Sequence, residues 1–204
     1  EAPGGITNHS FPADANPDDY QSPQKKPDVE NSRALSMEGT RKDTIETRMI
    51  AVLAADGVDD DSLMKMKNAL EEKGAMVKIV APHLGTLKTA AGKEVMADKA
   101  FVNASSVLFD AVYVPGGIKS VMALKDEHKA IHFMDEAYTH CKAIAADAEG
   151  VDLWRESAAG KKEATVDKDQ QEALMNGVVL NKEPADFIKA ISQHRFWDRE
   201  KVPA

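Results

Sequence analysis

Three runs of uninterrupted apolar side chains constrain this chain most: residues 49–55 (MIAVLAA), 111–114 (AVYV) and 143–146 (AIAA). Each is too short for a buried helix and is bounded by turn-forming residues, the pattern of a strand covered on both faces. Residues 75–81 (AMVKIVA) and 177–180 (GVVL) read as two more strands. Between them the period changes to that of a helix. Leu63, Met66 and Leu70 mark one face behind the acids Asp59, Asp60 and Asp61, and Gly74 stands where a C-terminal cap belongs. A second helical stretch, about 119–141, carries Val121, Leu124, Ile131, Met134 and Tyr138 and is expected to break near Asp126. Another helix follows Gly150 with Leu153 and Trp154, and Pro184 opens a last one through Phe187, Ile188 and Ile191. Residues 87–97 contain AAGKEV, a hairpin turn between two short alternating segments. Strands separated by helices make βαβ units, so the expected fold is α/β, a doubly wound, mostly parallel sheet with helices on both faces.

The first 47 residues have a different character. Pro3, Pro12, Pro17, Pro23 and Pro27 lie there among Asp, Asn, Ser and Gly, with large apolar side chains only at Ile6, Phe11, Tyr20, Val29, Leu35, Met37 and Ile45. Such a stretch buries too little surface to offset its ordering entropy alone. Residues 1–47 are therefore expected to be an extended linker and 48–204 one domain. The chain opens on Glu1 and shows no signal-peptide pattern, which leads to the expectation of a piece of a longer cytoplasmic protein. A net charge of -8 leaves no basic face for nucleic acid, and no apolar run approaches the roughly 20 residues a membrane helix needs. A single cysteine, Cys141, excludes an intrachain disulfide and any cysteine-rich metal module.

Ligand sites in this architecture gather at the carboxyl ends of strands. Three ends are distinctive: Asp56-Gly57-Val58-Asp59, Pro115-Gly116-Gly117 and Asp147-Ala148-Glu149-Gly150. In this order they resemble the class I glutamine amidotransferase-like superfamily, in its intracellular-protease and chaperone branch. That resemblance implies a flavodoxin-like fold, a cysteine nucleophile on a sharp strand-to-helix elbow, a glutamate after the first strand and a Pro-Gly-Gly turn. Carried over by position, the elbow cysteine falls on Ala148, its neighbouring histidine on Glu149 and the strand-one glutamate on Asp59. An alanine methyl has no lone pair with which to attack a carbonyl. Gly116 and Gly117 could still offer oxyanion-like backbone N–H groups, but the elbow made of Asp147, Ala148 and Glu149 is vestigial for thiol chemistry.

A narrower resemblance accounts for that silence. Ser36-Met37-Glu38-Gly39-Thr40, Lys42-Asp43-Thr44-Ile45, residues 51–57 and His194-Arg195-Phe196-Trp197-Asp198 are similar to the C-terminal region of large-subunit haem catalases. In that family a flavodoxin-like domain without the reactive cysteine follows the haem-bearing core through an extended linker. The resemblance implies a non-catalytic domain, with no cofactor or metal of its own, in a parent that decomposes hydrogen peroxide with haem. Its expected partners are the catalase core and its homotetramer, and the superfamily's chaperones extend the expectation to unfolded client proteins. The alternative is a stand-alone hydrolase or carbonyl-processing enzyme working with Asp147, Glu149 and Asp59 in place of the cysteine.

Other features have plainer readings. Asp56, Asp59, Asp60 and Asp61 resemble the acidic pocket of a phosphoacceptor domain, but the third core strand ends in Pro115 rather than an acid, and acids favour helix N-termini anyway. His128 and His132 lie one turn apart and could ligate a metal with Asp135 or Glu136; an exposed polar helix face explains them better. Cys141 suits a small buried filler. Trp154, Phe187, Phe196, Trp197, Met64 and Met66 are expected in packing rather than in a ligand box.

Overall fold

The computed structural model describes residues 32–201. The chain divides into two units, 1–40 and 41–204. In the first, the described residues form a turn and a 3₁₀ segment, Met37–Gly39. The prolines that set residues 1–27 apart lie outside the described residues.

The second unit is an α/β sandwich on a six-stranded parallel sheet. The strands are β1 (Met49–Leu53), β2 (Met76–Ala81), β5 (Lys99–Ala100), β6 (Ala111–Val114), β7 (Ala143–Ala146) and β8 (Val178–Leu180), in the order β5-β2-β1-β6-β7-β8. Strands β3 (Gly85–Lys88) and β4 (Glu94–Ala97) form a separate antiparallel hairpin, the turn anticipated at AAGKEV. Alternate residues of each central strand feed two apolar layers. Ile50, Val52 and Tyr113 pack in one, with Leu63, Met66 and Leu70 of α1 (Asp60–Glu72) and Phe187 and Ile191 of α7 (Pro184–Gln193). Leu53, Val112 and Val114 pack in the other. Their partners there are Leu124 of α2 (Ile118–Asp126), Phe133 and Met134 of α3 (His128–Thr139) and Trp154 of α4 (Gly150–Glu156). Ile45, whose surroundings in sequence are sparse in apolar residues, is 2% exposed and joins the first layer.

The helix break near Asp126 has a simple cause. Glu127 leaves the helical region, closes α2 and then caps α3, its carboxylate accepting from the Lys129 N–H. Two short helices, α5 (Ala158–Glu163) and α6 (Lys168–Leu174), complete the chain before β8, opened by side-chain caps from Ser157 and Asp167.

Candidate functional site

The carboxyl ends of β1, β6 and β7 meet at one edge of the sheet, and the three motifs meet with them. β7 runs into Asp147-Ala148-Glu149 and then α4. Ala148 stands exposed at the tip of this elbow with φ +46°, a left-handed conformation that is unfavourable for a residue with a Cβ by about 1–2 kcal/mol. Neighbouring strands hold it there. Its N–H donates to Asn181 Oδ1 at 2.7 Å, and Asn181, just past β8 and itself at φ +50°, returns its own N–H to the Ala146 carbonyl at 2.9 Å. The tip of this tight strand-to-helix turn presents a methyl group.

The glycine turn opposite is equally well formed and already occupied. Gly116 donates its N–H to Ser62 Oγ at 3.1 Å, and Gly117 donates to Glu149 Oε2 at 3.0 Å. Donation by the Gly117 N–H holds the Glu149 carboxyl below its ordinary range. Gly117 has to be glycine: its φ is +118°, and a Cβ would lie 2.5 Å from the Gly57 carbonyl oxygen and 2.7 Å from the Asp59 nitrogen. So the Gly117 N–H, expected from the sequence to stand ready for an oxyanion, is engaged by the Glu149 carboxylate of the chain itself.

Asp59 and Asp147 each have a donor of their own. Asp59 is the N-cap of α1 and accepts from the Ser62 N–H at 2.8 Å. Asp147 accepts from the Tyr113 hydroxyl at 2.7 Å, and that hydroxyl also lies 2.8 Å from Ser62 Oγ. Burial pushes the Asp147 carboxyl up despite this bond, and it pushes the fully buried Tyr113 phenol up as well. Of the other strand-one acids, Asp56 accepts from the Lys88 N–H at 2.8 Å and Asp60 from the Ala91 N–H at 3.1 Å, while Asp61 lies exposed in the first turn of α1. Asp56, Asp59, Lys88, Thr89, Lys119 and Glu149 line the cleft above the elbow, with Thr86 of the hairpin as one wall.

His128 and His132 are exposed on α3, and their suggested co-ligands are engaged elsewhere: Asp135 accepts from the Ala158 N–H, and Glu136 lies 3.4 Å from His140. Among the described residues no group of three or more His, Cys, Asp or Glu side chains could hold a metal ion. Cys141 is buried at the far end of the sheet, before β7. Trp154 and Phe187 are fully buried, Phe196 is packed against the core, Met66 is buried and Trp197 is partly exposed, whereas Met64, expected in packing, is exposed on the outer side of α1. Tyr113, Ser62 and Asn181 belong to the site but were not singled out from the sequence. A signal existed for one of them, because a tyrosine in a doubly covered strand needs a partner for its hydroxyl.

The fold is of the flavodoxin type, like that of solved DJ-1/ThiJ/PfpI-like proteins. Its backbone resembles Drosophila melanogaster DJ-1beta (TM-score 0.57, 15% identity, 76% of this chain and 95% of that one) and oxidized Toxoplasma gondii DJ-1 (TM-score 0.55, 16% identity, 76% and 96%). At those identities the likeness concerns the fold alone. Residues 46–201 match the family described as the C-terminal domain found in long catalases, and the chain belongs to that family. Among its relatives are Catalase HPII of Mycobacterium avium, 40% identical over 85% of this chain, and Catalase-2 of Bacillus subtilis (strain 168), 37% identical over 84%. The chain spans about a quarter of the length of each, 26% and 24%. Among the described residues no helix is long and apolar enough to cross a membrane.

Proposed function

We propose that this chain is the non-catalytic C-terminal domain, with its linker, of a cytoplasmic large-subunit catalase whose remaining residues decompose hydrogen peroxide with haem. The observation that carries this reading is the elbow: Ala148 offers no nucleophile, and Ser62 and Glu149 occupy the Gly116 and Gly117 N–H groups. A chain whose reactive position is chemically silent but whose strained backbone is kept has a structural role. That role is to dock on the catalase core and stabilise the parent homotetramer, and, when separated, to hold unfolding client proteins. Haem does not fit here. Among the described residues no imidazole, phenol or thiol lines the cleft above the elbow to serve as an axial ligand, so the cofactor is assigned to the rest of the parent. A single buried cysteine, which cannot form an intrachain disulfide, suits a reducing compartment.

Deleting the domain from the full-length parent tests the reading. Peroxide turnover per haem should stay within about twofold at moderate temperature, while tetramer content and the half-life on heating fall. A truncated parent with unchanged assembly and unchanged thermal half-life would refute the stabilising role. The client-holding activity is lost as an idea if the 204-residue chain leaves the heat-induced aggregation of a model client unaltered.

A further inference from the structure

At the opposite end of the sheet from the elbow lies a cluster of charges that the proposed function does not use. Asp110, immediately before β6, is its centre. Its Oδ2 accepts from the Met49 N–H at 2.9 Å, and its Oδ1 lies 3.5 Å from Arg48 Nη1, 3.3 Å from His194 Nε2 and 4.0 Å from Arg195 Nη1. Arg48 leads into β1, whereas His194 and Arg195 follow α7, so a single carboxylate ties the last segment of the chain to the base of the sheet. That segment, residues 194–201, is held further along by the Phe196 N–H on the Cys141 carbonyl at 2.8 Å. Arg199 adds donations to the carbonyls of Asn176 and Lys142 at 2.6 and 2.8 Å.

The cluster is unbalanced. Asp110 faces Arg48 from the β1 side and Arg195 and His194 from the tail, and Lys142, the residue before β7, feels the charges of Asp110, Arg195 and Glu136 of α3. His194 is 5% exposed and sits at φ +71°, a conformation that the contacts around it must maintain. A positive charge on its ring would have to be accommodated out of water, beside two guanidinium groups that already share the one carboxylate.

We propose that the Asp110-centred cluster is an acid-sensitive latch, from which the segment 194–201 detaches on protonation of His194 while the rest of the domain stays folded. The sign follows from the titration. Burial first, and then Arg195 and Arg48, lower the His194 pKa from 6.5 to about 4, so the released segment binds the extra proton between those values and docking weakens as pH falls through that window. The docking equilibrium then drops by about 100-fold between about pH 7 and about pH 4. Release uncovers the surface that the Phe196 ring covers, including Gly177, where even a Cβ would meet that ring at 2.3 Å.

The two tryptophans report the two parts separately, since Trp154 is fully buried in the domain and Trp197 lies in the tail. The 204-residue chain, labelled with 5-fluorotryptophan and assigned with Trp197→Phe, is titrated by fluorine NMR alongside far-UV circular dichroism. The Trp197 resonance should change at a higher pH than the Trp154 resonance and the dichroism, and His194→Gln should move the Trp197 midpoint lower by about one pH unit or more. Asp110→Asn should move it higher; if that variant does not fold, wild type and His194→Gln alone decide. One common midpoint for both tryptophans, or a Trp197 midpoint unmoved in His194→Gln, overturns the latch.

Discussion

Replacing Lys142 by methionine should flatten the alkaline limb of this domain's stability curve. Lys142 is 3% exposed, and its ammonium donates to the carbonyl and hydroxyl oxygens of Ser106. Burial, and next the charge of Arg195, bring its pKa from 10.5 down to about 8. The folded chain therefore releases this proton before the unfolded chain does, and stability rises with pH across that window rather than falling. For one group shifted this far, linkage gives a gain of about 2.5 kcal/mol between about pH 7 and about pH 10, and partial screening brings the expected reading to about 1–2 kcal/mol. Lys142→Met removes the titration and keeps most of the side-chain volume, but it leaves the Ser106 carbonyl without its donor, at about 1–3 kcal/mol. The two effects oppose each other at neutral pH, and at alkaline pH the relief of the buried charge fades and only the cost of the lost donor remains. Urea unfolding of both proteins at several pH values isolates the term, because every other titrating group cancels in the difference. A difference between wild type and variant that stays constant from about pH 7 to about pH 10 would refute a buried, shifted Lys142.

Three further outcomes follow from the elbow and the glycine turn. Ala148→Gly relieves the left-handed strain at φ +46° and should raise stability by about 0.5–1 kcal/mol in denaturant melts. Gly117→Ala forces a Cβ to within 2.5 Å of the Gly57 carbonyl oxygen and should lower stability by about 3 kcal/mol or more, with loss of near-UV dichroism from Tyr113 beneath it. Ala148→Cys should react quickly with a colorimetric disulfide reagent in the native protein, whereas the native Cys141, 1% exposed, should react only on unfolding.

The sheet was legible because a parallel strand covered on both faces leaves an apolar run that few other structures produce. MIAVL, AVYV and AIAA became β1, β6 and β7, and the pause at Asp126-Glu127 became the α2–α3 junction. β5 escaped notice because two residues, Lys99 and Ala100, cannot display a period. Helices α5 and α6 escaped because neither has enough apolar positions to mark a face. At the elbow, the sequence places Ala148 and Glu149 but not the bond from Gly117 to Glu149, which joins residues 32 positions apart and exists only once β6 and β7 are paired. The Asp110 cluster is more remote still, with Arg48 62 positions away, and no local pattern announces a charge buried through long-range pairing.

The ends of the sheet bear on how such domains can meet one another. Its two border strands, β5 and β8, are two and three residues long. So short a row of backbone donors and acceptors is a poor template for a strand from another molecule. Two such sheets brought border to border would gain few backbone hydrogen bonds, which guards against the backbone zippering that begins a fibril.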